Sequence, residues 1–403
     1  MEVKEPGARY LAKPAYKQTE VGLIPDDWEV VSVGCIGTFS SGARISIAML
    51  GPESSDAPVP VYGGNGIAGF TKSALVQNPT VVIGRVGQRC GQVFITSGPS
   101  WVTDNALYPR SLHRPMYVPF LARALAAAGL NDLKNRNDLP LVTQSILHAV
   151  RIGIPATNAE QETIAEALSA ADALIESLEQ LLAKKRQIKQ GAMQELLTGH
   201  KRLPGFAGEW DYKLIGEFTD CTAGGTPSTR VPAYWGGSIR WMNSGELNLN
   251  TVTEVEGRIT EEGLRNSSTK LIPANCVLIG LAGQGKTRGT VAINLVSLCT
   301  NQSIAAIFPN ESFDSRYLYY NLDNRYDELR ELSTGDGGRG GLNLTIIRSL
   351  VVPYPSVPEQ TAIATVLADM DAETAALEAR LAKACSLKQG MMQELLTGRI
   401  RLV

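Results

Sequence analysis

Apolar and small side chains recur at alternating steps of four and three through Ile164, Leu168, Ala171, Ile175, Leu178 and Leu182. They do so again through Ile363, Leu367, Met370, Thr374, Leu377 and Leu381. A helix gathers such positions on one side, and the heptad spacing makes that side a coiled-coil seam. The two series are one feature written twice. Residues 159–203 and 358–402 align without a gap at an offset of 199, which matches Glu160 with Glu359, Asp172 with Asp371, and the string MQELLTG with itself. Thr157 with Glu160, and Ser356 with Glu359, have the capping-box spacing that opens a helix, and Pro358 fits a first turn. Gly199 and Gly398 offer a left-handed stop. The pattern predicts two helices of about 40 residues, each roughly 60 Å long. One seam alone leaves its apolar side wet. The second copy covers it, and the order globule, helix, globule, helix predicts an antiparallel coiled coil with pseudo-two-fold symmetry.

The stretches ahead of the helices match more loosely. Ile24-Pro25-Asp26-Asp27-Trp28-Glu29-Val30 resembles Leu203-Pro204-Gly205-Phe206-Ala207-Gly208-Glu209-Trp210, and each is followed by a short apolar strand pattern. Residues 81–109 parallel residues 277–309, with β-type alternation between glycines that predicts strands joined by exposed loops. Helical patterns follow over 118–130 and 315–330. The fold class expected is mixed α/β (α+β), with globules at 1–154 and 204–353 and long helices at 155–203 and 354–403.

Composition narrows the classes of function. A chain of 403 residues with 44% apolar content has material for more than one core. No apolar run approaches the roughly 20 residues of a membrane span, and MEVKEPGARY lacks a signal peptide's apolar stretch, so a cytoplasmic location is expected. Six cysteines without CxxC spacing and three histidines give no metal or disulfide framework. The net charge of -2 does not advertise nucleic acid. The first globule has 14 Lys/Arg against 11 Asp/Glu, whereas residues 204–352 have 13 against 16.

One motif points toward catalysis. Gly280-Leu281-Ala282-Gly283-Gln284-Gly285-Lys286-Thr287 satisfies the phosphate-loop pattern, but that loop needs a helix immediately afterwards, and Arg288-Gly289-Thr290-Val291-Ala292-Ile293-Asn294 reads as strand. The matching loop Gly84-Arg85-Val86-Gly87-Gln88-Arg89-Cys90-Gly91 keeps the glycines and basic residues without the motif. Both are read as glycine-supported turns that carry side chains suited to phosphates and base edges. No methyltransferase tetrad, nuclease cluster or H-E-x-x-H is present. Trp28, Trp210, Trp235 and Trp241 are expected in packing rather than base stacking.

The doubled arrangement, the helix starts carrying Glu160-Gln161 and Glu359-Gln360, and the QELLTG ends resemble the specificity subunits of type I restriction-modification enzymes. Gly224-Gly225-Thr226-Pro227-Ser228, Tyr234-Trp235-Gly236-Gly237, Ile239-Arg240-Trp241 and Ser244-Gly245-Glu246 are similar to a common opening of that family's recognition domains. Tyr62-Gly63-Gly64-Asn65-Gly66 and Thr103-Asp104-Asn105-Ala106 take comparable parts in the first globule. The resemblance implies a non-catalytic subunit in which each globule reads half of a split site in double-stranded DNA. The helices would space the globules and dock two methyltransferase (modification) subunits, with motor-nuclease (restriction) subunits able to join. Because Arg and Asn/Gln are natural readers of guanine and adenine, the expected DNA-binding residues are Arg44, Asn65, Arg85, Gln88, Arg89, Arg240, Ser244, Gln284, Lys286, Thr287, Arg288 and Arg339. Arg339 stands in a glycine-rich run, 335–341, expected to order on DNA. No cofactor, metal or catalytic residue is expected. A phosphate-loop NTPase and a coiled-coil adaptor without DNA binding are the alternatives; nucleotide titration and gel shift separate them.

Overall fold

The computed structural model describes residues 15–133, 140–283, 287–332 and 341–402. Gln284, Lys286, Arg339 and most of the 335–341 run lie outside the described residues. The chain divides into two compact units. The first runs to Glu179 and takes back the chain from Arg380 onward; the second is Gln180–Ala379.

The long helices span Asn158–Leu196 and Val357–Leu395, 39 residues each. Gly199 and Gly398 lie just beyond them with φ of +74° and +69°, the left-handed conformation that ends a helix cheaply only at glycine. In the first unit Ile164 and Leu168, near one helix start, share a core with Leu395 and Leu396 at the other helix end, along with Trp28, Phe39, Phe120 and Leu121. Farther along, Asp172 meets Lys388 at 2.5 Å, so residue numbers rise on one helix as they fall on the other, and the segments run antiparallel. The second unit repeats this with Ile363 and Leu367, Leu196 and Leu197, and an ion pair between Lys189 and Asp371. Burial along the seam is uneven: Ala171, Ile175, Thr374, Leu377 and Leu381 are only half-buried. The globules' own helices, with Phe120 and Leu121 or Tyr317 and Leu318, join the core only at the seam's ends.

The capping boxes form only in part. Thr157 Oγ1 accepts from the Glu160 N–H at 3.3 Å, but the Glu160 and Glu359 carboxylates do not turn back on their helices. They are 3% and 2% exposed and bind Arg401 and Arg202 instead. A desolvated carboxylate gains more from a guanidinium fork than from one main-chain N–H.

The two globules are built alike. In the first, an antiparallel sheet runs in the order Gly37–Ser41, Ala106–Leu112, Val81–Gly84, Val93–Ile95, beside a smaller sheet in which Val59–Gly63 pairs in parallel with Trp101–Val102. In the second, the matching order is Cys221–Ala223, Ile304–Ile307, Val277–Gly280, Val291–Asn294, with Trp235–Met242 parallel to Leu298–Thr300. Val81–Gly84 and Val277–Gly280 are buried at every position, which explains their continuous apolar runs. The helix expected over 118–130 ends at Ala127. That over 315–330 is two helices, Ser315–Asp323 and Tyr326–Leu332, parted where Arg325 turns aside to the Val351 carbonyl at 2.7 Å.

Candidate nucleic-acid interface

In the first unit, four turns converge at one end of the sheets. The Gly42 N–H donates to the Ala106 carbonyl at 3.3 Å and the Ala43 N–H to the Val102 carbonyl at 2.9 Å, while Trp101 Nε1 donates to the Ala43 carbonyl at 3.0 Å. This close approach demands glycine, since a Cβ on Gly42 would sit 1.9 Å from the Val102 oxygen. Arg44 follows directly; its side chain is 92% exposed and its Nε meets Asp104 Oδ2 at 2.9 Å. Arg85 donates its N–H to the Asn105 carbonyl at 2.9 Å and Nη1 to Ser41 Oγ at 2.9 Å. Gly91 closes that loop by donating to the Gly84 carbonyl at 2.7 Å, leaving Gln88 and Arg89 exposed at its tip. A Cβ on Gly64 would lie 2.9 Å from the Val86 oxygen, which places exposed Asn65 beside the same loop. The expected residues Arg44, Asn65, Arg85, Gln88 and Arg89 therefore share one surface, and Ile47 and Met49, shortly after Arg44 in the chain, are 85% and 64% exposed.

The second unit has the same frame. The Gly224 N–H reaches the Ile304 carbonyl at 3.2 Å and the Gly225 N–H the Thr300 carbonyl at 2.8 Å, and Trp241 Nε1 donates to the Gly225 carbonyl at 3.0 Å. Thr226 then donates Oγ1 to Gln302 Oε1 at 2.6 Å. The Leu281 N–H meets the Ser303 carbonyl at 2.8 Å, and Gly289 closes its loop on the Gly280 carbonyl at 2.9 Å. Ser244 opens a short turn, Ser244–Leu249, capped by Asn243, and Leu247 approaches Gly280. Thr287 and Arg288 are half-buried on the return of the loop. After Thr287 the chain passes through a turn into the strand Val291–Asn294, so no helix N-terminus faces the loop as phosphate binding requires.

Arg240 is engaged elsewhere. Its Nε and Nη2 hold the Glu254 carboxylate at 3.1 and 3.2 Å, and Arg258 adds a third contact at 2.6 Å. Hydrogen bonding from Arg240, then from the Val255 N–H, lowers the Glu254 carboxyl to about 2. Sequence reasoning placed Asp104 and Thr226 inside motifs but did not count them among the DNA-binding residues; it missed Gln302, and it did not weigh Trp101 as a clamp. The local signals were the glycines ahead of Arg44 and Thr226 and the short motifs in which Asp104 and Thr226 stand. Among the described residues no group of three or more metal-ligating side chains is gathered, and no helix is long and apolar enough to cross a membrane.

A doubled α/β unit with a glycine-supported loop cluster in each copy defines a class of two-module proteins. The chain belongs to the type I restriction modification DNA specificity domain family, whose model matches residues 25–189 and again 207–384. It is 32% identical over 168 residues to the specificity subunit of the type I restriction enzyme MjaIX from Methanocaldococcus jannaschii, covering 40% of this chain and 38% of that one. To an Escherichia coli type I restriction enzyme specificity subunit it is 31% identical over 186 residues, 45% of this chain and 46% of the relative. Each match thus spans less than half of the relative's length. The crystal structure of the type I restriction-modification system S subunit from M. genitalium shares the fold, with a TM-score of 0.65 at 16% identity over 95% of this chain and 99% of that one.

Proposed function

We propose that this chain is the sequence-reading subunit of a type I restriction-modification complex and carries out no chemistry itself. Each loop cluster would read one half of a split site in double-stranded DNA, and the paired long helices would seat two modification subunits, with restriction subunits able to join. The observation that carries this reading is the repetition of one loop frame in both units, each displaying polar side chains suited to base edges. The frame is rigid where a reader must be, because the roots of its side chains are held by main-chain hydrogen bonds and an indole.

The test is selection of DNA from a library with two randomised half-sites and variable spacers, using the full chain with and without the modification subunit. A split consensus is the expected result. Recovery of random sequence only, with no shift of any duplex, would overturn the reading. In parallel, the purified chain should neither hydrolyse nucleotide nor transfer methyl groups.

A further inference from the structure

We propose that the side-chain bridges Arg44–Asp104 and Thr226–Gln302 are the base-reading pairs of their loop clusters, set at one shared position and differing in chemistry. The inference rests on the DNA-recognition reading above and assigns the residues within it. The equivalence comes from main-chain hydrogen bonds. Gly42 and Gly224 donate to Ala106 and Ile304, and Ala43 and Gly225 donate to Val102 and Thr300, so residues 44 and 226 leave the same point of the frame. Arg85 and Leu281 donate to Asn105 and Ser303, which anchors the neighbours of Asp104 and Gln302 in the same way.

The carbonyls of Ala43 and Gly225 are each clamped by an indole. Trp101 comes from the strand Trp101–Val102, whereas Trp241 comes from Trp235–Met242, the counterpart of Val59–Gly63. Different positions therefore supply an indole to the same carbonyl, and the constraint at the root of residues 44 and 226 persists although its source has moved. Against this constant frame the bridge changes completely. In the first unit it joins a guanidinium to a carboxylate at 2.9 Å; in the second it joins a hydroxyl to an amide at 2.6 Å. All four side chains reach solvent, where such a bridge adds little to stability.

The chemistry gives each pair a base. Asp104 engages Arg44 through Nε and leaves the two Nη groups as parallel donors, matched to guanine O6 and N7. Thr226 donates to Gln302 Oε1 and so orients the amide, whose Nε2 donates and whose Oε1 retains a lone pair, matched to adenine N7 and N6. The first unit then reads guanine at this position and the second reads adenine.

The experiment is selection by the full chain from the library described above, for the parent, Arg44→Ala, Gln302→Ala, and two exchanges: Arg44→Thr with Asp104→Gln, and Thr226→Arg with Gln302→Asp. Arg44→Ala should erase a guanine preference of roughly 5- to 150-fold at one base of one half-site. Gln302→Ala should do the same for an adenine in the other. The exchanges should convert guanine to adenine and adenine to guanine at those bases, an outcome that misfolding cannot mimic. A parent that selects no sequence overturns the DNA-recognition reading and this inference together. A parent that selects a split site, with every base preference kept by both exchanged proteins, overturns the inference alone.

Discussion

Glu160 and Glu359 illustrate how much a single buried residue decides. Each carboxylate is almost fully buried, receives an indole N–H from Trp28 or Trp210 at 3.4 or 3.2 Å, and is paired with an arginine from just past the end of the other long helix. Hydrogen bonds to Asp27 first and Glu160 second hold the Arg401 guanidinium well above its ordinary value. Removing one member of such a bridge strands a charge in a desolvated place. Arg401→Met should therefore cost on the order of 3 kcal/mol, and Arg401→Met with Glu160→Gln should recover much of that, as read from urea unfolding. A cost below about 1 kcal/mol would place the pair with exposed ion pairs instead. The sequence located both carboxylates correctly at helix starts. Their role was illegible because Arg401 lies 241 residues from Glu160.

At the scale of the element, the long helices are held by different contacts in the two units. Asp172 takes both Arg123 and Lys388; Asp371 takes Lys189 and the Tyr320 hydroxyl, the latter at 2.7 Å. Burial alone would raise the Asp172 carboxyl, but Lys388 and Arg123 together hold it below the ordinary aspartate value. Asp323, on the helix Ser315–Asp323, is the opposite case. Burial raises its carboxyl, Lys189 opposes that, and Asp371 adds to it. Because the folded state binds this proton more tightly than the unfolded chain, its contribution to stability is complete below the ordinary aspartate value and is lost as pH rises through the raised one. Asp323→Asn removes the loss. The variant should melt higher than the parent at about pH 8 and show no such gain near about pH 4, in thermal scans across that range. An advantage that grows toward acid would reverse the assignment. The periodicity of 3.5 announced these helices, since the i, i+3 and i, i+4 pattern is local. Which aspartates would be matched with which cations was not local and was not read.

For the whole molecule, the division into two units, each with its own core and loop cluster, predicts defects that stay separate. Arg89→Ala should alter the selection of one half-site, Arg288→Ala the other, each by roughly 1–3 kcal/mol if a base contact is lost, or through a shallower salt slope if a phosphate contact is lost. Either substitution changing both half-site sequences would contradict independent modules. The gapless repeat, the seam, the glycine stops at Gly199 and Gly398, and the strand rather than helix after Thr287 were all determined by the sequence itself. The repeat is read by comparing two stretches of the chain directly, and the other three depend on spacing or backbone freedom within a few residues. The meeting of Arg44 with Asp104 across 60 residues, of Thr226 with Gln302 across 76, and of the two indoles with the Ala43 and Gly225 carbonyls was decided only by tertiary structure. Such contacts depend on which strands pair and in what register, and no local pattern of side chains carries that information.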